Sequence, residues 1–378
     1  MKKYSKQAWY FPNWHADKLN DMWHGKGWTE WQVAKYATPK FEGHYQPKIP
    51  VWGYEDESLP EVMEKKIKVA KEHGFDGFIF DFYWFKELGP YRRNCLEKGF
   101  LGAKNNEEME FSIMWANHHP ICAHPAPKAD ININLADASI DEDFFYEVTD
   151  YCIRNYFPKK NYRRVDGKCY FGVWSMGEFA KSMGGYKRAG DAIKDFRARA
   201  KEAGFDIHFA ANVNGVPGFD KRETEEDREK FNLKVRMLGI DSIFMYGWTY
   251  PDYLIGDNWP IVDYEEYRDY NLARYQVDSE FSPIPLDIAM STGWDSSPRT
   301  IPSDIYDKGG YARSYITVNN TPEQIEKAFV GMKEFADSDK FTGNMVSVCW
   351  NEWTEGNCME PNDKYGYGYL QAFKKVFK

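Results

Sequence analysis

The stretch His73-Gly74-Phe75-Asp76-Gly77-Phe78-Ile79-Phe80-Asp81-Phe82 decides the fold. Upstream of it, Glu57–Glu72 carries apolar residues at Leu59, Val62, Met63, Ile67 and Ala70 with charges between them, which predicts an amphipathic helix. Gly74 follows as the left-handed stop that ends many helices. Phe75–Phe82 is then apolar on both alternations, as expected of a strand buried on both faces. It delivers a carboxylate, Asp81, at its C-terminal end. A helix, a glycine stop, a doubly buried strand and a polar residue at the strand end together form the repeating unit of a parallel α/β barrel.

The unit recurs along the chain. Apolar or aromatic runs of strand length occur in order at Gln7–Phe11, Phe75–Phe82, Phe111–Ala116, Cys169–Trp174, Ile207–Val213, Ser242–Trp248, Pro285–Ser291 and Met345–Trp350. Helical patterns lie between them at Glu57–Glu72, Asp141–Tyr156, Lys187–Ala203, Thr224–Leu238, Tyr264–Tyr275 and Pro322–Phe335, and Tyr367–Phe377 comes last. A further helix is expected within Tyr91–Lys104. The charge run Lys221–Lys230 reads as a solvated helix start with Thr224 as N-cap. The pattern predicts an α/β fold, a (β/α)8 TIM barrel filling residues 1–378 as a single catalytic domain, with long loops on its C-terminal face. These loops are Pro12–Asp56, Asn117–Ile140 and Thr292–Asn320. An open doubly wound sheet is the structural alternative, but no GxGxxG follows the first strand.

Composition narrows the chemistry. The chain holds 14 Trp, 26 Tyr and 26 Phe. An aromatic-rich core is one use for these. A sugar site is another, because Trp and Tyr offer an apolar face and a polar edge to a sugar's C–H faces and hydroxyls. The net charge of −9 argues against nucleic acid as a partner. Six scattered cysteines without a CxxC pair argue against a disulfide scaffold or zinc finger and fit a reducing compartment. No run approaches the ~20 apolar residues of a membrane span. Met1–Ala8 lacks a signal-peptide core, so the expected location is cytoplasmic, or periplasmic or secreted where a signal has been removed. Nothing in the sequence sets an oligomeric state.

Residues at the strand C-terminal ends and in the long loops form the candidate site. For substrate contact they are Trp14, His15, Trp28, Glu30, His44, Tyr45, Asp81, Tyr83, Asn117, His118, Asn212, Tyr246, Trp248, Trp294 and Asn351. Trp174, Asn214 and Asp295 also fall at strand ends. The last strand runs into Trp350-Asn351-Glu352-Trp353-Thr354-Glu355-Gly356. Two carboxyl groups in different protonation states are what glycoside cleavage usually needs, and flanking Trp350 and Trp353 would raise the pKa of at least one. The same spacing also describes a helix N-terminus decorated with acids, and spacing alone weighs the two evenly. Asn117-His118-His119 with His124 lacks the fixed spacing of a metal site, so neither a metal nor another cofactor is expected. No GxSxG elbow or P-loop is present.

Two motifs bring a family into view. Trp23-His24-Gly25-Lys26-Gly27-Trp28-Thr29-Glu30-Trp31, followed by Phe41-Glu42-Gly43-His44-Tyr45-Gln46-Pro47, resembles the signature of WbsX-like proteins. These are bacterial proteins of polysaccharide loci, often labelled glycosyltransferases. Trp350–Gly356 with Met359-Glu360-Pro361 resembles the same group, and is similar to the catalytic segment of glycoside hydrolase family 99, the endo-α-mannosidase-like family. The loops follow the WbsX pattern and not the endo-mannosidase one. The resemblance implies a (β/α)8 barrel and a retaining reaction on α-mannoside- or α-rhamnoside-like linkages of a bacterial or host polysaccharide, through a 1,2-anhydro sugar. It implies that Glu352 deprotonates the 2-hydroxyl and that Glu355 is the general acid, then base. Two alternatives stand beside this reading: a glycosyltransferase of cell-surface polysaccharide (O-antigen) biosynthesis, and a non-catalytic glycan-binding barrel.

Overall fold

The computed structural model describes residues 4–128, 133–219 and 224–378. Lys221–Glu223 of the charge run and residues 129–132 of the third-strand loop lie outside the described residues. Eight strands form the barrel: β1 (Ser5–Tyr10), β2 (Gly77–Phe85), β3 (Glu110–Trp115), β4 (Lys168–Val173), β5 (Ile207–Asn212), β6 (Ser242–Phe244), β7 (Leu286–Met290) and β8 (Met345–Cys349). Each pairs in parallel with the next. β1 pairs with both β2 and β8, so the sheet closes on itself. The open-sheet alternative is thereby excluded.

The register explains why the runs are apolar on both faces. Trp9 is level with Ile79 on one side and Cys349 on the other. All three point inward and pack with Met114, Tyr170, Ala210, Phe244 and Met345 inside the barrel. The alternate residues Ala8, Tyr10, Phe78 and Phe80 belong to the core between strands and helices. Side chains alternate across a strand, so a barrel wall wrapped in helices needs apolar residues at both parities.

Helices follow seven of the strands: Pro60–His73, Glu142–Asn155, Tyr186–Glu202, Glu225–Leu238, Tyr264–Phe281, Pro322–Asp337 and Gly368–Phe377. Gly74 ends the first in the left-handed region, with φ 101° and ψ 12°. Thr224 caps the fourth in a reciprocal box with Asp227. The helix expected within Tyr91–Lys104 is present as one short, wide π-type turn, Cys95–Phe100. Gly99 packs so tightly on the Glu57 carbonyl that a Cβ there would overlap its oxygen. That docking fixes the turn, and so short a segment gains little from helical propagation. β6 is shorter than expected because the chain bends after Phe244, where the Trp248 N–H donates to Ser291 Oγ at 2.8 Å. Among the described residues no helix is long and apolar enough to cross a membrane, and no group of three or more His, Cys, Asp or Glu is placed to hold a metal.

Candidate active site

Beyond β8 the chain does not enter a helix. Asn351-Glu352 pairs antiparallel with Asn357-Cys358, which makes a tight hairpin. Gly356 completes the turn at φ 73°, and a Cβ there would lie 2.9 Å from the Asp295 backbone nitrogen. The acid-decorated helix start is therefore excluded. Asn351 holds the hairpin to β1 by two bonds: its Oδ1 accepts the Phe11 N–H at 2.8 Å and its Nδ2 donates to the Phe11 carbonyl at 2.9 Å. Glu352 sits on the stem and Glu355 in the turn, and both line one cavity of about 430 Å3 at the barrel mouth. That size falls within the ~300–1,000 Å3 usual for small-molecule sites.

One guanidinium organises the acids. Arg299, from the loop after β7, is 5% exposed. It donates to Glu355 Oε1 at 2.5 Å, to Glu30 Oε1 at 2.8 Å and to Glu352 Oε2 at 3.4 Å. The Tyr311 hydroxyl also donates to Glu355 Oε1, at 2.6 Å. Burial alone would lift the Glu30 carboxyl, but Arg299 and His124 hold it well below the usual carboxylate range. Burial, reinforced by the charge of Glu355 and opposed by Arg299, pushes Glu352 well above that range.

A second contact joins Glu352 to β2. The Tyr246 hydroxyl lies 3.0 Å from Glu352 Oε1 and 3.0 Å from Asp81 Oδ2. A phenol has one hydrogen to donate, so both contacts are hydrogen bonds only when one of the two carboxyls carries a proton. Burial supplies that condition, because it lifts Asp81 far above its usual range against the opposing pull of Tyr246 and Arg92. A carboxyl whose folded pKa is raised contributes stability in acid, and that contribution is lost as pH rises from the unfolded value toward the folded one. Asp81→Asn is accordingly expected to gain about 1 kcal/mol of stability at pH 7. The gain should vanish at pH 4. Thermal denaturation at the two pH values checks this, and equal effects at both would refute it.

The structure sorts the expected residues into two sets. Asp81, Tyr83, His118, Tyr246, Trp248, Trp294, Glu352 and Glu355 line the cavity together with Trp174 and Asn214. The others are not among its lining residues, and most of them bond loop or strand-end groups instead. Trp14 packs on Trp31 at 4.1 Å, and His15 lies 3.6 Å from Glu57. Trp28 stacks on His24, which itself faces the cavity. Glu30 stands behind Arg299 and is fully buried. His44 and Gln46 both bond Asp295 Oδ2, which latches the first loop to the loop after β7. Tyr45 bonds Asp363. Asn117 bonds the Ser175 backbone in both directions, Asn212 accepts the Asn214 N–H, and Asn351 clamps Phe11. These nine expected residues are not among those that line the cavity.

Sequence reasoning missed several residues of the site. Arg299, Tyr311, Arg92 and Asn357 line the cavity. It also missed the support beneath the hairpin. Lys66, 1% exposed, bonds Glu360 at 2.7 Å and lies 3.8 Å from Glu57. Glu360 accepts the indole N–H groups of Trp350 at 2.8 Å and Trp353 at 2.9 Å. Glu57 accepts the Tyr10 hydroxyl at 2.8 Å and the Trp14 N–H at 3.1 Å. The tryptophans that flank Glu352 are thus tied through one lysine to the first helix.

The family model described as Glycosyltransferase WbsX matches residues 6–373. The chain belongs to the WbsX family. The uncharacterized protein WxcX from two strains of Xanthomonas campestris pv. campestris is 25% identical to it over 98% of this chain. The alignment covers 49% of WxcX, so this WbsX-family chain spans about half the length of the curated relatives it matches. Among solved structures, the GH99 endo-alpha-mannosidase from Bacteroides thetaiotaomicron, in complex with BIS-TRIS-propane, superposes with a TM-score of 0.57 at 12% identity, covering 100% of this chain and 96% of that one. A glycoside hydrolase-like protein superposes with a TM-score of 0.57 at 14% identity, covering 100% and 95%. At these identities the likeness establishes the shared barrel fold.

Proposed function

We propose that this WbsX-family barrel is a retaining glycoside hydrolase acting on α-mannoside- or α-rhamnoside-like linkages of a polysaccharide. The observation that carries the reading is the pair Glu352 and Glu355, presented by one hairpin to one aromatic-lined cavity and bridged by Arg299. Glu352 takes the proton of the sugar 2-hydroxyl, and the 2-oxygen displaces the leaving group at C1 to give a 1,2-anhydro sugar. Glu355 protonates the departing oxygen as that bond breaks. In the second half, Glu355 takes a proton from water, water opens the three-membered ring at C1, and Glu352 returns its proton to the 2-oxygen. A raised carboxyl suits Glu352, because it is the stronger base once ionised. Glu355 Oε1 already accepts from Arg299 and Tyr311, so Oε2 is the oxygen that meets the leaving group.

The family description favours a second reading, transfer from a nucleotide sugar. Such an enzyme needs a site for a diphosphate. Arg299, the cation beside the acids, is already shared among three carboxylates. The decisive assay offers the protein a panel of bacterial polysaccharides and aryl α-mannosides and α-rhamnosides, and, separately, nucleotide sugars with glycan acceptors. Released reducing ends or aryl alcohol are expected from the first set. Consumption of nucleotide sugar with no hydrolysis of any glycoside would overturn the hydrolase reading.

A further inference from the structure

Arg92 is the cation in the cavity wall that the two-acid chemistry does not use. It is 7% exposed, and its guanidinium lies against three rings, 4.8 Å from Phe11, 4.7 Å from Tyr83 and 4.4 Å from Tyr91. Its Nε is buried without a hydrogen-bond partner. Among the described residues it forms no ion pair. The carboxylates whose charges reach it are engaged elsewhere, Glu30 with Arg299 and Asp81 with Tyr246, and Tyr91 is the side chain that hydrogen-bonds it. Arg299 on the same cavity pairs with three carboxylates, so the contrast lies within one site.

The backbone works to keep Arg92 there. Its φ is 58°, a conformation that L side chains other than Asn and Asp rarely adopt. Its N–H is held by Asp17 Oδ2 at 3.1 Å. A cation buried among aromatic rings is costly unless a partner completes its hydrogen bonds. Burial, ahead of nearby cations including Arg92, holds His24 at about 4 and His118 below its usual range, so both imidazoles are neutral near pH 7 and Arg92 is the charged group on this wall. Tyr83 links the two halves of the site, touching Arg92 with its ring while Asp81 and Glu352 face the same cavity.

We infer that Arg92 holds an anionic group of the substrate, the carboxylate of a uronic acid unit, in the cavity that contains Glu352 and Glu355. This names the substrate class, an acidic glycan, and rests on the hydrolase reading above. A planar guanidinium fork matches a carboxylate edge-on. A diphosphate would call for more than one free cation or a cradle of backbone amides. Arg92 and Arg299 are the only Arg or Lys side chains among the cavity's described lining residues.

The test uses oligosaccharides released from acidic bacterial polysaccharides, and the same oligosaccharides after chemical reduction of their carboxyls to alcohols. Binding is measured by calorimetry on the Glu355→Gln protein, alone and combined with Arg92→Met or Arg92→Lys. At least one acidic ligand is expected to bind about tenfold or more tightly than its reduced counterpart. That preference should collapse in Arg92→Met, persist in part in Arg92→Lys and weaken with salt. Circular dichroism and the affinity for reduced ligands establish that each variant is folded. Equal affinity for native and reduced ligands, a preference that survives Arg92→Met, or no binding at all overturns the inference. Nucleotide sugars bound through Arg92 while acidic glycans are ignored would overturn it together with the hydrolase reading. Cleavage confined to neutral glycans would overturn it alone.

Discussion

Glu355→Gln is expected to lower kcat/KM by about 10²–10⁴-fold on glycosides with an ordinary sugar leaving group, and to recover most of that loss on dinitrophenyl glycosides. A dinitrophenolate departs without a proton, so the missing acid matters little there. Glu352→Gln should lose activity on both classes, because removal of the 2-hydroxyl proton is needed whatever departs. The reverse pattern would exchange the two roles, and activity intact in both variants would remove the hairpin from the chemistry. The pH profile adds a second readout. Burial and the charge of Glu355 together raise Glu352. Activity therefore falls as pH drops through a value above the usual carboxylate range. In Glu352→Gln that acid limb should be absent from whatever activity remains. A limb that stays in place would mean that the group titrating there is not Glu352.

Lys66→Met should cost about 3–5 kcal/mol of stability, the loss typical of breaking a buried ion pair from one side. Methionine fills the same volume, so the loss reports charge and not packing. Burial alone would lower Lys66, but Glu360 and Glu57 hold its pKa above the ordinary lysine value. A raised lysine contributes its full stability below the unfolded value and loses it only in strong alkali, so the whole effect is present at pH 7. Without the ammonium, Glu57 and Glu360, 0% and 3% exposed, share the interior with no cation. Urea unfolding measures the loss. A cycle with Glu360→Gln should show that removing the carboxylate costs less in Lys66→Met than in the wild type. Additive losses would mean that the two residues stabilise the protein independently. Activity should fall as well, because Glu360 orients the tryptophans beside Glu352.

How much of this was legible follows from what fixes each side chain. Tyr246 and Glu352 lie just beyond strand ends and Asp81 lies within β2, and strand order and pleat carry all three to the mouth once the strands are recognised. The eight strands were legible because burial on both faces leaves nearly unbroken apolar runs. Trp14, His44 and Tyr45 sit in a long loop whose path is set by tertiary bonds, to Trp31, Asp295 and Asp363, that no local pattern encodes. Arg299 and Tyr311 were hidden for the same reason. Lys66 and Glu57 looked like ordinary charges on a helix's solvent face and at its start. Only the docking of the hairpin onto that helix makes them interior. The helix expected within Tyr91–Lys104 is short and wide because close approach at Gly99, and not propensity, shapes it.

The pairing of Ser5 with Met345 has a consequence for how the molecule is made. β1 leaves the ribosome long before β8, so the seam between them cannot form until Met345–Cys349 has been made. Until then the edges of β1 and β7 stand open, and Glu57 and Lys66 wait for Trp350 and Glu360. Open strand edges recruit other chains. Nascent chains halted before Met345 are therefore the species in which aggregation should begin, and slowing synthesis just ahead of Met345 should lengthen that exposure.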